Sequence, residues 1–427
     1  MKIFFRRIHL YLGLTSGLIL LVVCFTGGIL VFEKELEQAW HPERYSVTPA
    51  TTPRLSLAQL TDAVRAYKPK AKISSFKIYT DPARTVEVNL AGNDKGGPNG
   101  QRGGAASQEQ RGANRGAGAR EQQGQSQGTT EARGGGPGGP GKGGPGGKGR
   151  NVGPRLFMNP YTGAIIEETK PNESFFHFVE QIHRGLVAGR VGKLVMGINS
   201  ILFLFILSTG LVLWWPTARK ALTPRLKVKW GSGWKRLNHD FHIVLGFYTS
   251  VFLLVMALTG VGMSFDWVGN TINAVTHSPR QRPEPPTSTV PTAGQGNFGA
   301  DAALTASQQQ IQAAESYSIQ LPKEPTGSIQ VGILRPDALT ERATNDVYFD
   351  QYSGRVLRQT TYAQQPVGQR IRGLFKPVHT GAIFGWPTKI LAFVVVWLGF
   401  TFPITGTILW WNRTRKAKKQ QRKLVAA

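Results

Sequence analysis

Residues 10–32 read LYLGLTSGLILLVVCFTGGILVF, 23 positions without a single Asp, Glu, Lys or Arg. A helix needs about 20 apolar residues to cross roughly 30 Å of hydrocarbon. Backbone groups in lipid must satisfy one another, which leaves helices or closed barrels, and the run lacks the alternation of a barrel strand. Three further windows share these properties: Leu194–Trp215, Ile243–Met263 and Ile390–Trp411. The first run is long for the apolar core of a signal peptide. Glu33-Lys34-Glu35 follows it where a small-residue cleavage site would stand, so it reads as a retained helix. The expected fold is a membrane all-α bundle of four transmembrane helices with α+β segments outside it.

The chain has 427 residues and a net charge of +26. A total so basic invites nucleic acid as a partner, but the cations sit beside apolar runs. Lys2, Arg6 and Arg7 precede the first span, seven Lys and Arg lie between spans two and three, and seven follow span four. These three segments share one face of a four-span protein, so the excess of cations predicts cytoplasmic termini, with lipid as the partner surrounding the spans. Nucleic acid is not expected. Cys24 is the one cysteine, which excludes a disulfide framework, a CxxC zinc site and covalent haem attachment through CxxCH.

The resulting division is 1–32 (N-terminus and first span), 33–193 (outward), 194–215 (span), 216–242 (basic loop), 243–263 (span), 264–389 (outward), 390–411 (span) and 412–427 (basic tail). In the first outward region, Ser56 introduces an amphipathic helix over Leu55–Tyr67. Alternation in Phe76-Lys77-Ile78-Tyr79 and Val86-Glu87-Val88-Asn89 predicts strands. Residues 92–153 are over a third glycine and are expected to be a disordered insert. A strand, turn and strand should follow from Phe157. In the second region a Pro/Thr/Gly-rich linker at 278–300 precedes a helix near 301–316 and a strand at Ser328–Leu334.

The chain repeats itself. His9, Gly13 and Thr26-Gly27 follow H-x3-G-x12-T-G, as do His242, Gly246 and Thr259-Gly260. His183 and His379 each precede a Thr-Gly by 26 residues and a Trp-Trp by 31. Asn159-Pro-Tyr-Thr-Gly163 is echoed by Asp350-Gln-Tyr-Ser-Gly354. Most of these matches have a packing explanation: Gly and Thr let membrane helices approach closely, and paired Trp residues form an interfacial belt. The histidines stand apart, because four of the eight recur at span ends. His177 and His239 do not repeat; Gly373 and Arg6 occupy their equivalents. His41 and His277 read as surface loop.

By the expected topology, His9 and His242 lie at the inner edge of the membrane and His183 and His379 at the outer edge. Two neutral imidazoles facing each other are the axial ligands of a six-coordinate b-type haem suited to electron transfer. Gly13 and Gly246, one turn from a ligand, would leave a flat helix surface for a porphyrin. Zinc or copper would call for additional Cys, Asp or Glu, and a proton relay lacks carboxylates within the spans. The basic loop is too short for a nucleotide-binding domain, so an electron donor must be another protein or a quinol.

The stretch Arg-Ile-His9-Leu-Tyr-Leu-Gly-Leu with Thr26-Gly27, Phe-His242-Ile-Val-Leu-Gly246, His379-Thr-Gly381 and the terminal Trp-Trp resemble the PepSY-associated transmembrane family. Its members include iron-regulated inner-membrane proteins and ferric-siderophore reductases of Gram-negative bacteria. The resemblance implies PepSY-like α+β periplasmic regions and two haems b on His9, His242, His183 and His379. It also implies oxidoreductase activity on a periplasmic ferric-siderophore. The Gly-rich insert departs from the pattern, and no flavoprotein domain follows the last span. A haem-free PepSY protein that binds peptides, inhibits a protease or acts as a sensor is the alternative; a permease for iron chelates would need broken, polar helices.

Overall fold

The computed structural model describes residues 1–92, 153–281, 283–291, 296–311 and 313–425. The expected disordered insert therefore falls outside the described residues, its edges apart, and so does part of the 278–300 linker.

Helix α1 (Lys2–Val31) breaks at Phe32 into α2 (Glu33–Trp40) and the single turn α3 (Pro42–Tyr45). Helix α4 (Leu57–Tyr67) leads to strands β1 (Ile73–Tyr79) and β2 (Val86–Leu90). Then come β3 (Arg155–Met158), β4 (Ile165–Thr169), α5 (Phe175–Gly185) and α6 (Gly189–Trp214). The basic loop holds the short α7 (Leu222–Leu226), followed by α8 (Trp234–Asp240). A π turn over Phe241–Leu245 joins α8 to α9 (Gly246–Ser264), making one rod from Trp234 to Ser264. After α10 (Asp266–Val275) and α11 (Gly299–Gln310) come β5 (Ser316–Gln320), β6 (Ser328–Leu334), β7 (Asn345–Asp350) and β8 (Val356–Thr360). The chain ends with α12 (Val367–His379) and α13 (Trp386–Val425).

Among the described residues four helices are long and apolar enough to cross a membrane: Lys2–Val31, Gly189–Trp214, Trp234–Ser264 and Trp386–Lys418. They contain the four uncharged windows to within a residue at their ends. In the bundle α1 and α9 each pack on both α6 and α13, so α1 and α9 stand diagonally across its axis. Leu207, Leu253, Ala257 and Val395 fill the centre between them. Many of the remaining large apolar side chains on these helices, such as Leu18, Phe205, Val251 and Val394, are exposed. This is what a surface facing lipid requires, where apolar contact does not depend on protein neighbours.

The two segments read from sequence as separate outward regions form, among the described residues, one antiparallel sheet of eight strands in the order β4-β3-β2-β1-β5-β6-β7-β8. The seam is the β1–β5 pairing, where Phe76 lies opposite Ile319. Helices α4 and α11 supply Leu57, Leu60, Val64 and Ala303 to the same core as Phe76, Val88, Ile319, Val331 and Phe349. Asp301 on α11 accepts from the Leu57 and Ala58 N–H groups (2.6 and 2.9 Å). One segment thus caps the other segment's helix, where a carboxylate meets the positive end of the helix dipole. Ser56 completes that cap through a capping box with Gln59.

Two local expectations need adjusting. Helix α11 stops at Gln310, short of 316, because the chain must straighten so that Ser316 can enter β5 opposite Tyr79. The strand–turn–strand from Phe157 is a hairpin whose Asn159 side chain accepts from the Tyr161 and Thr162 N–H groups. Asp350 does the same for Tyr352 and Ser353. Gly163 and Gly354 each close their turn at φ +71°, a conformation that costs other residues about 1 kcal/mol or more.

Candidate functional site: two histidine pairs

His9 lies on the first part of α1, and His242 on the π turn before α9; their ring centres are 6.3 Å apart with planes at 87°. His183 on α5 and His379 at the end of α12 form the second pair, with centres 6.1 Å apart and planes at 70°. The structure thus brings the four repeated histidines together two by two across the bundle. His183 touches Thr26, which lies 17 residues beyond His9 on the same helix. At 1.5 Å per residue the two pairs sit at levels about 25 Å apart.

Every one of these rings is held in the same way. His9 Nδ1 lies 3.0 Å from Thr209 Oγ1, His183 Nδ1 3.0 Å from Thr26, His242 Nδ1 2.9 Å from Thr405, and His379 Nδ1 3.0 Å from Thr259. Each threonine hydroxyl donates to the carbonyl four residues earlier, respectively Phe205, Val22, Thr401 and Val255. With its proton committed there, the threonine oxygen accepts, so the imidazole must carry its hydrogen on Nδ1. Carbonyl oxygens, which can only accept, reinforce this: Ile206 at 3.1 Å from His9 Nδ1 and Met256 at 2.9 Å from His379 Nδ1. The Nε2 lone pair of each ring has no hydrogen-bonding partner among the described residues.

The glycine after each threonine makes room for the ring. A Cβ at Gly27 would stand 3.1 Å from His183 Cε1, at Gly406 3.1 Å from His242, at Gly210 3.3 Å from His9, and at Gly260 3.6 Å from His379. The Thr-Gly pairs therefore do more than let helices pack: the threonine orients an imidazole and the glycine seats it. Sequence reasoning passed over Thr26, Thr209, Thr259 and Thr405 as packing residues, although their fixed distance from each histidine was the available signal. Asn238 adds a brace, its side-chain amide donating to the Thr405 carbonyl at 3.1 Å.

Gly13 and Gly246 border open space, since a Cβ at either would meet no atom within 4 Å. At the His183/His379 pair, burial and then the neighbouring His379 push the His183 pKa down to about 4, and burial lowers that of His379. Both are neutral near pH 7, the form that ligates metals. Two imidazoles on opposite sides of one metal ion, each about 2 Å from it, have ring centres roughly 6 Å apart. Both pairs match that spacing.

The other histidines lie elsewhere. His177 Nε2 meets Gln181 at 2.7 Å, and His239 Nδ1 meets Asp240 at 3.2 Å. His41 groups with Glu43 and Glu167, but the Glu167 carboxylate is already held by Arg44. Trp214 stacks on Phe247, with centres 3.6 Å apart, and its indole N–H donates to the Arg225 carbonyl at 3.3 Å.

No curated protein matches the chain. The family model described as the PepSY-associated TM region matches residues 6–413, a stretch that includes all four paired histidines and all four Thr-Gly cradles. The chain is a member of the PepSY-associated transmembrane family.

Proposed function

We propose that this protein is an inner-membrane electron-transfer protein with two b-type haems, reducing a ferric-siderophore on the outer side. The observation that carries this reading is the pairing of four imidazoles, His9 with His242 and His183 with His379, at ring-centre distances of 6.3 and 6.1 Å. His9 and His242 would hold one haem, His183 and His379 the other. When bound, such six-coordinate haems supply one-electron transfer. The donor set fits the group: neutral imidazoles, each with Nδ1–H anchored to a threonine, and open space beside Gly13 and Gly246. Such anchoring fixes ring orientation and raises ligand basicity.

Between the two pairs, Leu207, Leu253, Ala257 and Val395 form a buried apolar cluster at the bundle's centre. The basic segments flanking α1, α6, α9 and α13 support cytoplasmic termini; with that orientation His9 and His242 would lie on the electron-donor side. The recurrence of the histidine cradle in both halves supports an origin by duplication. Ferric iron as the acceptor rests on the family resemblance and on chemistry, since hard siderophore oxygens hold iron(II) more weakly than iron(III) and reduction releases the metal.

The test is an optical spectrum of the full-length protein purified in detergent, oxidised and dithionite-reduced, with a pyridine haemochrome count. Two haems per chain and a sharp reduced α-band are expected. A protein that stays colourless when expressed with haem precursor would overturn the reading and favour a peptide-binding or sensor role.

A further inference from the structure

At the end of the bundle that carries His9 and His242, the loop between α6 and α8 folds back over the helices. Arg225 donates to the carbonyls of Leu213 and Trp214, and Trp214 returns a bond to the Arg225 carbonyl. Beneath this strap lies a cavity of about 200 Å³. Pro224 and Arg225 line it from the strap, and Arg236, His239, Asp240, Ile243 and Val244 line it from the helical rod that begins at Trp234.

The polar side is organised around Asp240, whose side chain is 2% exposed. It accepts from the Lys229 N–H at 3.2 Å, from Arg236 at 2.8 Å and from His239 Nδ1 at 3.2 Å. A carboxylate only accepts, so His239 carries its hydrogen on Nδ1 and keeps the Nε2 lone pair. The His239 side chain is 46% exposed and lines the cavity, and its Nε2 has no hydrogen-bonding partner among the described residues. Both guanidiniums are already engaged, Arg225 on two carbonyls and Arg236 on Asp240, so the cavity has little cationic capacity left for a phosphate. What it offers is apolar lining from Pro224, Ile243 and Val244 and one hydrogen-bond acceptor, at the end of the long apolar helices.

Two further observations single out this position. The lining residues Ile243 and Val244 directly follow His242 in the π turn, and such turns are rare and frequently mark functional sites. His239 also breaks the internal repeat, Arg6 standing at its equivalent, so the feature is built on one half alone.

We propose that this cavity binds the ring of a lipid-soluble hydroquinone, with one hydroxyl donating to His239 Nε2. The inference rests on the electron-transfer reading for its purpose, since a hydroquinone is the reductant such a chain would draw from the membrane. A quinone has no hydroxyl to donate, so the site prefers the reduced ring.

The probe is a photoreactive azido-substituted short-chain ubiquinol, applied to the full-length protein in phosphatidylcholine nanodiscs, with decylubiquinol as competitor. Labelling should map to residues 224–244. His239→Leu should raise the decylubiquinol concentration for half-protection about tenfold, the equivalent of one lost hydrogen bond, and His239→Gln should recover part of it. Pro224→Trp, which fills the cavity from an exposed loop, should abolish labelling. Labelling elsewhere in the chain, or protection indifferent to both His239→Leu and Pro224→Trp, overturns the proposal. Protection by phosphatidylglycerol as effective as by decylubiquinol, in wild type and His239→Leu alike, also overturns it by identifying a headgroup site. Haem is counted on the same samples: haem without labelling sinks the hydroquinone site alone, whereas absence of haem sinks the electron-transfer reading whatever is labelled.

Discussion

Replacing the four cradle glycines by alanine, one at a time, tests whether the Thr-Gly pairs seat the histidines or merely pack helices. Carbon–carbon contacts become favourable near 3.5 Å. An alanine Cβ at Gly27 or Gly406 would stand 3.1 Å from an imidazole carbon, so the ring must retreat by about 0.4 Å. At Gly210 the contact is 3.3 Å and the retreat is about 0.2 Å; at Gly260 it is 3.6 Å and no retreat is needed. Metal–ligand bonds tolerate about 0.2 Å of error. Gly27→Ala and Gly406→Ala should therefore each disturb one centre, Gly210→Ala should be marginal, and Gly260→Ala should keep both. The two severe variants should also strike different centres, Gly27→Ala the His183/His379 pair and Gly406→Ala the His9/His242 pair. Haem content, reduced α-band shape and the two midpoint potentials read out the series. A Gly260→Ala protein as damaged as Gly27→Ala would refute the reasoning, as would four indistinguishable variants, because packing alone gives no reason for that order.

Single His→Ala changes should remove haem by pairs: His9→Ala and His242→Ala the same centre, His183→Ala and His379→Ala the other, each lowering the haemochrome count from two to one. Thr26→Val deprives His183 Nδ1 of its acceptor and should weaken haem retention about 10- to 100-fold, whereas Thr26→Ser should retain it; haem transfer to apomyoglobin measures the difference. In the sheet, Arg44 is a buried link between Glu37 and Glu167, and Arg44→Ala should cost about 2 kcal/mol through lost charge-assisted bonds. The exposed Arg65–Asp62 pair serves as control, with Arg65→Ala staying within about 0.5 kcal/mol; thermal unfolding in detergent compares them.

The four spans were legible because lipid imposes a length and a composition that few other constraints imitate. The histidine positions were legible because they recur at fixed distances from Thr-Gly. The single eight-stranded sheet was not. Alternation in Phe76-Lys77-Ile78-Tyr79 fixes which face of β1 is buried, but the partner, β5, begins more than 230 residues later. No local pattern states such a pairing. The threonines were hidden for a different reason: a membrane-helix threonine returns its hydroxyl proton to its own helix whether or not its oxygen also receives a histidine. Helix α11 was overextended because polar Gln-rich sequence continues past the residue where strand entry wins.

The pattern of contacts also bears on why each half of the sequence carries two histidines. Bracing is local: His9 leans on Thr209 and His183 on Thr26, all within the first half, while His242 leans on Thr405 and His379 on Thr259 within the second. Pairing is not local, since His9 faces His242 and His183 faces His379 across the bundle. Each half can therefore orient its own rings before the halves meet, but neither contains a complete pair. On the proposed reading, a haem site that forms only on assembly would tie cofactor binding to correct docking of α1 and α6 against α9 and α13, so ligand binding would stabilise that interface specifically. The sheet reinforces the same union, because its β1–β5 seam joins one segment to the other and Asp301 caps the partner segment's helix. Two independent devices thus hold the halves in register, one within the bundle and one outside it, and both have to be in place for the four imidazoles to meet two by two.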